Sequence, residues 1–402
     1  MNLKIEQLYL FTQPIFMKRR LFQSFAYPKI TVMKSKLVAL ATFSLLFSAS
    51  QAQFRKYSNE FLNIGAGARG LAMGSAQVAS VTDGTAGYWN PAGLANVKDY
   101  GNVNLMHAEY FAGIGKYDYA SIALPMSNNK RTLGLTALRF AVDDIMNTLF
   151  LVEPDGSVNY NNIQSFSSAD YAFLLSLAQK VKESKDKDIN FGINAKVIHR
   201  SVGHFAKAWG FGLDAGLQIR TGQWHLGVAA RDITTTFNAW SFSFTDKEKE
   251  ALYLTNNDIP VKSTEMTAPR LILAVGRNFR FSEKLSLLAE ANFDFTFDGK
   301  RNTLVSGDPI SIDPKIGAEL NINNVLYLRG GINNFQRALS DGDTLNQKKV
   351  WIYQPSAGVG FRLQNVRIDY AFTNLANQSN PLYTHVFSIQ FDLVNDKNKK
   401  RK

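Results

Sequence analysis

From about residue 102 onwards, apolar and polar residues alternate along most of the chain. The pattern is clearest in residues 189–200 and 207–221, where large apolar side chains are separated by single glycine or polar residues. Successive side chains of a β-strand point to opposite faces, so this period of two predicts strands rather than helices. Fourteen segments have it, near residues 102–112, 116–126, 131–142, 168–181, 188–200, 207–221, 223–231, 270–282, 284–297, 312–322, 324–333, 354–363, 365–373 and 383–393.

The connections between these segments alternate in length. Nearly all the long ones follow odd-numbered segments, at residues 143–167, 232–269, 298–311, 334–353 and 374–382. Outer-membrane barrels have short periplasmic turns and longer external loops. We therefore predict an all-β fold, a transmembrane antiparallel β-barrel of about 14 strands over residues 101–394, which begins and ends on the periplasmic side. The alternative is a secreted β-sandwich or propeller, whose apolar face would point inwards.

The two faces of the predicted strands differ in composition. One carries large apolar residues, as contact with lipid requires, and the other carries charges of both signs and many glycines. These glycines are Gly192, Gly210, Gly212, Gly216, Gly227, Gly317, Gly358 and Gly360. Because glycine weakens a strand, so many on one face indicate that another backbone packs closely against it. We expect a segment to fill the barrel and to pair with inward charges, or these to pair with one another: Lys196, Asp214, Glu290, Asp294, Lys315, Glu319, Arg362, Arg367 and Asp369.

Residues 53–100, which precede the first strand, are the candidate for this segment. They are rich in small residues, and we predict that they form an N-terminal plug inside the barrel. Residues 65–70 match the glycine pattern of dinucleotide-binding proteins. However, no buried strand precedes them and no acidic residue follows about 20 residues later, as that site requires. We therefore expect no cofactor there.

The net charge of +12 is concentrated at the two ends of the chain. Residues 1–52 carry +6 and residues 395–402 carry +4, which leaves +2 for everything between them. A nucleic-acid-binding protein would keep its basic residues on a folded face, so we expect no nucleic acid as a partner. Residues 395–402 are predicted to be a solvated basic tail in the periplasm.

The N-terminal residues have the three parts of a secretory signal. Lys34 and Lys36 form a positive start, and residues 37–49 are mostly apolar. Ser50 and Ala52 are the small residues that signal peptidase reads. The apolar run is too short to remain as a membrane-spanning helix. We predict a signal peptide over about 33–52, preceded by an upstream extension and cleaved after Ala52.

Sequence motifs for catalysis or metal binding are missing. The chain has no cysteine, which excludes disulfides, thiolate metal sites and a cysteine nucleophile. Its five histidines are scattered, at positions 107, 199, 204, 225 and 385. Neither a metalloprotease motif nor a serine-hydrolase motif occurs. We expect no enzyme activity, no metal and no cofactor.

The long connection at 232–269 contains an aromatic cluster in which Trp240, Phe242 and Phe244 alternate with other residues. This spacing is typical of strands that continue above the membrane as a hairpin. Apolar groups in exposed loops also mark contact surfaces. We hypothesise that Trp240, Phe242 and Phe244 contact a partner or a ligand.

Three stretches of the candidate plug, residues 57–69, 71–76 and 86–94, resemble the N-terminal signature of the PorV/PorQ family. The triplet Asn90-Pro91-Ala92 is similar to one in the plug of fatty-acid transporters that share the FadL-like fold of that family. The motif resemblance covers about residues 54–98, and the fourteen-strand pattern extends it to the rest of the chain.

The resemblance implies a FadL-like barrel in the outer membrane of Bacteroidota. It also implies association with the type IX secretion system, in which one family member is a non-enzymatic carrier of secreted proteins. The expected function is that of a binding or carrier component, with outer-membrane lipid, type IX components and secreted cargo proteins as partners. The alternative is a FadL-like channel for hydrophobic small molecules, in which the plug gates the passage of a hydrophobic ligand.

Overall fold

The computed structural model describes residues 58–98, 100–110, 113–126, 130–153, 155–260, 262–339, 348–374 and 383–394. The predicted signal peptide at 33–52 and the predicted basic tail at 395–402 lie outside the described residues.

Strands make up most of the described residues. In chain order they are β1 (Gly101–Tyr110), β2 (Gly115–Pro125), β3 (Arg131–Asn147), β4 (Gln164–Lys182), β5 (Lys187–Val202), β6 (Ala206–Thr221), β7 (Trp224–Arg231), β8 (Thr236–Phe242), β9 (Lys262–Thr267), β10 (Arg270–Arg280), β11 (Leu285–Thr296), β12 (Ser311–Ile322), β13 (Leu326–Leu339), β14 (Lys349–Leu363), β15 (Val366–Asn374) and β16 (Tyr383–Leu393). Each of the fourteen predicted segments overlaps one of β1–β7 or β10–β16, although β3, β4, β13 and β14 extend beyond the predicted bounds into the long connections.

These fourteen strands form a closed antiparallel barrel within the described part of the chain. Each strand pairs with its neighbours in sequence, β16 pairs with β1, and β7 pairs with β10. The remaining strands, β8 and β9, form a hairpin that adds to the first residues of β6, whereas β7 pairs with the last residues of β6. The prediction of a 14-stranded barrel is therefore confirmed, and the aromatic part of the connection 232–269 does continue the wall as a hairpin.

The lengths of the connections divide the barrel into two ends. The turns after β2, β4, β6, β10, β12 and β14 are short, and they meet at what we call the short-turn end. The longer connections follow β3, β7, β11, β13 and β15, and we call the end of the barrel at which these five strands finish the long-loop end. This confirms the alternation that the sequence indicates.

The apolar face of the strands points outwards. On β6, Trp209, Phe211 and Leu213 are each about half exposed, at 52%, 50% and 47%, whereas Asp214 on the other face is 7% exposed. The same alternation recurs on β4 and β5. A wall of this kind suits hydrocarbon outside and polar groups inside, so the orientation excludes the sandwich with an apolar interior.

The described helices are short. They are the 3-10 helices Glu60–Asn63, Pro91–Asn96 and Tyr160–Asn162 and the α-helices Ala68–Ala72, Ala86–Trp89 and Asp246–Leu254. In the described part of the chain, no helix combines the length and the apolar character needed to cross a membrane.

Residues 58–98, which we call the N-terminal segment, pack against the inward-facing glycines of the wall. A Cβ atom at Gly227 would lie 2.8 Å from the Cα atom of Ala79. At Gly192 it would overlap the backbone of Pro91, and at Gly317 it would overlap that of Met73. The close approach of a second backbone, which the sequence suggested, is thus the physical reason for Gly192, Gly227 and Gly317. At Gly210 and Gly212 a Cβ atom would instead meet β8, and at Gly360 it would meet side chains of β13 and β15.

The N-terminal segment runs from the long-loop end to the short-turn end. The hydroxyl of Ser58 donates a 3.4 Å hydrogen bond to Glu265 on β9, and the Asn238 side chain on β8 donates a 2.9 Å bond to Asn59. The segment ends near Lys98, just before β1 begins at the short-turn end. The barrel therefore begins and ends at the short-turn end, although the first described residue lies at the opposite end.

Candidate functional site

A cavity of about 630 Å³ lies at the long-loop end, between the N-terminal segment and the wall. We call it the vestibule. Its lining comes from the segment, β1, β3, β10, β12, β13, β14 and β15 and the connection before β12: Glu60, Asn63, Ile64, Leu71, Ser75, Tyr110, Phe140, Arg270, Arg301, Asn302, Thr303, Asp313, Lys315, Asn333, Asn334, Gln336, Gln354, Pro355, Ser356 and Thr373. A volume of this size is in the range of small-molecule sites.

One side of the vestibule is apolar. Tyr110 on β1 and Phe140 on β3 line it, and Ile64 and Leu71 of the N-terminal segment complete it. Behind them, the ring of Tyr117 lies 6.1 Å from each of the rings of Tyr110 and Phe140. These distances are typical of aromatic packing, so this side presents a rigid apolar surface.

The opposite side is polar and charged. The Arg270 guanidinium pairs with Asp294, and Lys315 Nζ lies 3.5 Å from the same carboxylate. Arg301 pairs with Asp298 at 2.7 Å. The amides of several asparagine and glutamine residues add hydrogen-bonding groups: Asn302, Asn333, Asn334, Gln336 and Gln354. The vestibule as a whole is therefore amphipathic.

A chain of buried ion pairs joins the N-terminal segment to the wall below the vestibule. Its six members, in order of contact, are Arg69, Glu319, Arg329, Asp369, Arg367 and Asp83. The five contacts are 2.6–2.9 Å long. The first and last members belong to the N-terminal segment, and the four between them lie on β12, β13 and β15. The series of ion pairs therefore connects two points of the segment through the wall. Three arginines and three carboxylates make the group electrically neutral, which burial requires.

Most of the inward charges that we expected to pair do so. Lys196 lies 2.8 Å from Asp214, and Arg362 lies 2.6 Å from Asp392. Glu290 accepts a 2.8 Å hydrogen bond from the backbone N–H of Ala79 in the N-terminal segment. Arg69, Asp83 and Arg329 were not among the predicted charges, because the first two lie in a segment without periodicity and nothing in the pattern of β13 distinguishes the third.

The Asn90-Pro91-Ala92 triplet lies where the N-terminal segment meets β5 and β6, away from the vestibule. The fully buried Asn90 side chain donates hydrogen bonds to the carbonyls of Val78 at 3.0 Å and Leu217 at 3.2 Å. Its side-chain oxygen accepts a 3.1 Å bond from the N–H of Ala92 and so caps the helix that follows. The triplet therefore ties two parts of the segment to the wall.

The aromatic residues of the hairpin stack on one another at the long-loop end. The ring of Phe242 lies 6.3 Å from Trp240 and 6.4 Å from Phe244, and Phe244 lies 6.0 Å from Phe205. The Arg200 guanidinium lies over the Trp240 ring at 5.1 Å. On β8, Trp240 and Phe242 share a face with the buried Thr236 and Asn238. The structure thus places Trp240 and Phe242 on the inner side of the hairpin, and their role as partner contacts stays a prediction.

The connection between β3 and β4 is ordered by its own side chains. Asn159 and Asn162 each donate a 2.9 Å hydrogen bond to the carboxylate of Glu153. These bonds hold the pKa of Glu153 below its usual value. Among the described residues, no group of three or more His, Asp or Glu side chains could hold a metal ion.

No protein-family model matches the sequence, and no curated protein sequence matches it. Among solved structures, the chain is similar to the toluene transporter TodX of Pseudomonas putida, with a TM-score of 0.52 and 14% identity, over 86% of this chain and 100% of that one. It is also similar to the toluene transporter TbuX of Ralstonia pickettii, with a TM-score of 0.50 and 14% identity, over 82% of this chain and 98% of that one. The monoaromatic hydrocarbon channel CymD has a TM-score of 0.51 and 12% identity, over 83% of this chain and 98% of that one. At these identities the likeness shows a shared fold.

Proposed function

We propose that this protein is a non-enzymatic, FadL-like channel of the outer membrane that takes up small hydrophobic molecules bearing a polar group. The observation that carries the proposal is the vestibule, which is about 630 Å³ in volume and has one apolar and one polar side. Its position at the long-loop end would admit molecules from outside the cell. The fold that the chain shares with two toluene transporters and a hydrocarbon channel also supports a channel for hydrophobic molecules.

The N-terminal segment is the gate in this proposal. It forms part of the vestibule through Ile64 and Leu71, and its contacts with β12, β13 and β15 fill the barrel below. The pairing of β2 with β3 is unbroken from Gly115 to Pro125, and that of β3 with β4 is unbroken from Arg131 to Val142. This part of the wall therefore offers no side exit. A ligand that binds the apolar side would pass along the barrel by displacing part of the segment.

Uptake by cells that produce the protein tests this proposal. We expect labelled decanoate to enter faster than in cells without it, and Gln336→Trp to lower that uptake several-fold, because Gln336 lines the vestibule. Leu328→Trp is the matched control on the same strand, since Leu328 points to the membrane and is 44% exposed. Uptake that is independent of the protein, or equal in both variants, would contradict a channel through the vestibule.

A second candidate function is that of a PorV/PorQ-type component of the type IX secretion system, which binds or carries secreted proteins. The buried ion pairs that fix the N-terminal segment favour a static, filled barrel over a channel. Trp240 and Phe242, stacked on the inner side of the hairpin at the long-loop end, would contact a partner segment that enters the barrel mouth there.

Affinity purification from native outer membranes, followed by mass spectrometry, tests this second candidate. We expect secretion components or cargo proteins to co-purify with the wild-type chain and to be depleted at least several-fold for the Trp240→Ala, Phe242→Ala double variant. Phe281→Ala is a control, because Phe281 is exposed at the short-turn end. The idea is abandoned if the double variant recovers the same proteins as the wild type.

A further inference from the structure

The polar side of the vestibule contains two carboxylates that face each other on neighbouring strands. Asp294 on β11 pairs directly with Asp313 on β12. Both belong to the inner face, since Asp294 is buried and Asp313 lines the vestibule. Like charges directly opposite each other destabilise an antiparallel pair of strands. The arrangement therefore depends on the groups that surround the two carboxylates.

Direct contacts with cations stabilise only one of these carboxylates. The Arg270 guanidinium pairs with Asp294, and Lys315 Nζ lies 3.5 Å from the same group. Among the described residues, no ion pair includes Asp313, and its Oδ1 atom is buried without a hydrogen-bond partner. A buried acceptor without a donor is unfavourable. Asp313 is therefore a hydrogen-bond acceptor in the vestibule that the described side chains leave unused.

The charges around Asp313 disfavour a charged ligand group at this position. The charged residues on this side are three cations and four carboxylates: Arg270, Arg301, Lys315, Glu60, Asp294, Asp298 and Asp313. A ligand carboxylate that reached Asp313 would meet two like charges, because Asp294 is directly opposite. An ammonium group there would be repelled by Lys315, which lies about 7 Å further along the same face of β12. Since an uncompensated charge is costly in a partly enclosed site, an uncharged polar group fits best.

A hydroxyl group meets both conditions. It is uncharged, it can donate a hydrogen bond to the Asp313 carboxylate, and its own oxygen can accept one in return. Side-chain amides that could donate to this oxygen also line the vestibule, among them Asn333, Asn334 and Gln354. An ether of the same size has no donor and would leave the Asp313 carboxylate unsatisfied.

We propose that the vestibule selects hydrophobic molecules whose polar group is an uncharged hydroxyl, and that Asp313 determines this preference by accepting the hydroxyl hydrogen bond. The apolar part of the ligand lies against the surface formed by Ile64, Leu71, Tyr110 and Phe140. The inference rests on the proposed function and names the substrate class of the same site.

Equilibrium dialysis against the protein in lipid nanodiscs, with binding to empty nanodiscs subtracted, measures the preference. The probes are labelled decanol, decyl methyl ether, decanoate and decylamine at neutral pH, which share one alkyl chain. We expect decanol to bind several-fold more tightly than each of the other three, with decanoate as a weaker ligand that still enters. Gln336→Trp should abolish the binding of decanol, because Gln336 lines the vestibule.

Asp313→Asn separates the role of the carboxylate from a role in packing. The amide oxygen can still accept a hydrogen bond from decanol, but the negative charge is lost, so the surrounding cations should attract decanoate. We expect decanoate to bind several-fold more tightly to this variant and decanol to bind much as before. A packing defect would instead weaken both ligands alike. Asp246→Asn is the matched control, since the Asp246 side chain is 99% exposed on the helix Asp246–Leu254.

Three outcomes would overturn this inference: equal binding of the four probes by the wild type, tighter binding of decanoate or decylamine than of decanol, or an unchanged ratio of decanol to decanoate binding in Asp313→Asn. The shift in gel mobility on heating shows whether each variant has folded. Decanoate uptake by cells distinguishes this inference from the proposed function. Uptake that is independent of the protein, together with selective binding of decanol, would count against the channel and not against the site. Protein-dependent uptake without a preference for decanol would count against the role of Asp313 alone.

Discussion

Arg329→Met is expected to lower the free energy of unfolding by about 3–5 kcal/mol, the usual cost of breaking a buried ion pair from one side. The Arg329 side chain is fully buried and lies 2.6 Å from Glu319 and 2.7 Å from Asp369. Methionine keeps much of the volume but removes the charge. The two carboxylates then share only the flanking Arg69 and Arg367, and the group acquires a net negative charge in a site without bulk water.

Urea unfolding in detergent, followed by tryptophan fluorescence and gel mobility, measures this loss. Lys249→Met is a control that removes a lysine from the exposed pair with Asp246, and it should leave the midpoint unchanged because surface pairs contribute little. The double variant Arg329→Met, Asp369→Asn restores neutrality and keeps the pairs Arg69–Glu319 and Arg367–Asp83, so it should be more stable than Arg329→Met alone. If the double variant is no better, the loss comes from packing and the charge argument is wrong.

The strand pattern was predictable because a membrane wall imposes the same chemistry on every strand. Hydrocarbon outside and a filled barrel inside fix the alternation at almost every position, so all fourteen segments could be assigned. The pattern fails where the wall leaves the membrane. Beyond Val142, β3 has a bulge at Asp144, which has a positive φ of 56°, and then continues to Asn147 with the alternation out of step. The predicted end at residue 142 was therefore too early.

The candidate site was less predictable, because its parts come from distant positions. The vestibule is lined by residues from Glu60 to Thr373, and no local pattern connects them. The glycines did predict that a segment packs inside, since their effect on a strand is local. The partners in the ion-pair chain could not be assigned in the same way. Arg69 and Glu319 are 250 positions apart, and only the path of the N-terminal segment brings them together.

The second large effect is expected at Gly331 on β13, where the N-terminal segment touches the wall. A Cβ atom there would overlap the backbone of Met73 and Gly74, which belong to a turn held by hydrogen bonds from Gly74 N–H to Ser356 Oγ and from Ser356 to the Ala72 carbonyl. Overpacking usually costs about 1–3 kcal/mol and sometimes more. Because the clash is with backbone, we expect Gly331→Val to cost at least about 3 kcal/mol or to displace the segment.

The adjacent Gly330 offers a matched control on the same strand. It points to the outside, and a Cβ atom there would meet nothing closer than the Ser356 carbonyl oxygen at 3.9 Å. Gly330→Val should therefore fold like the wild type, whereas Gly331→Val should lose the heat-sensitive gel shift or become sensitive to protease between residues 58 and 98. Cleavage in that range with an intact wall would show that the barrel closes without the segment, as a gate requires. Equal stability of the two variants would mean that the segment does not pack against β13.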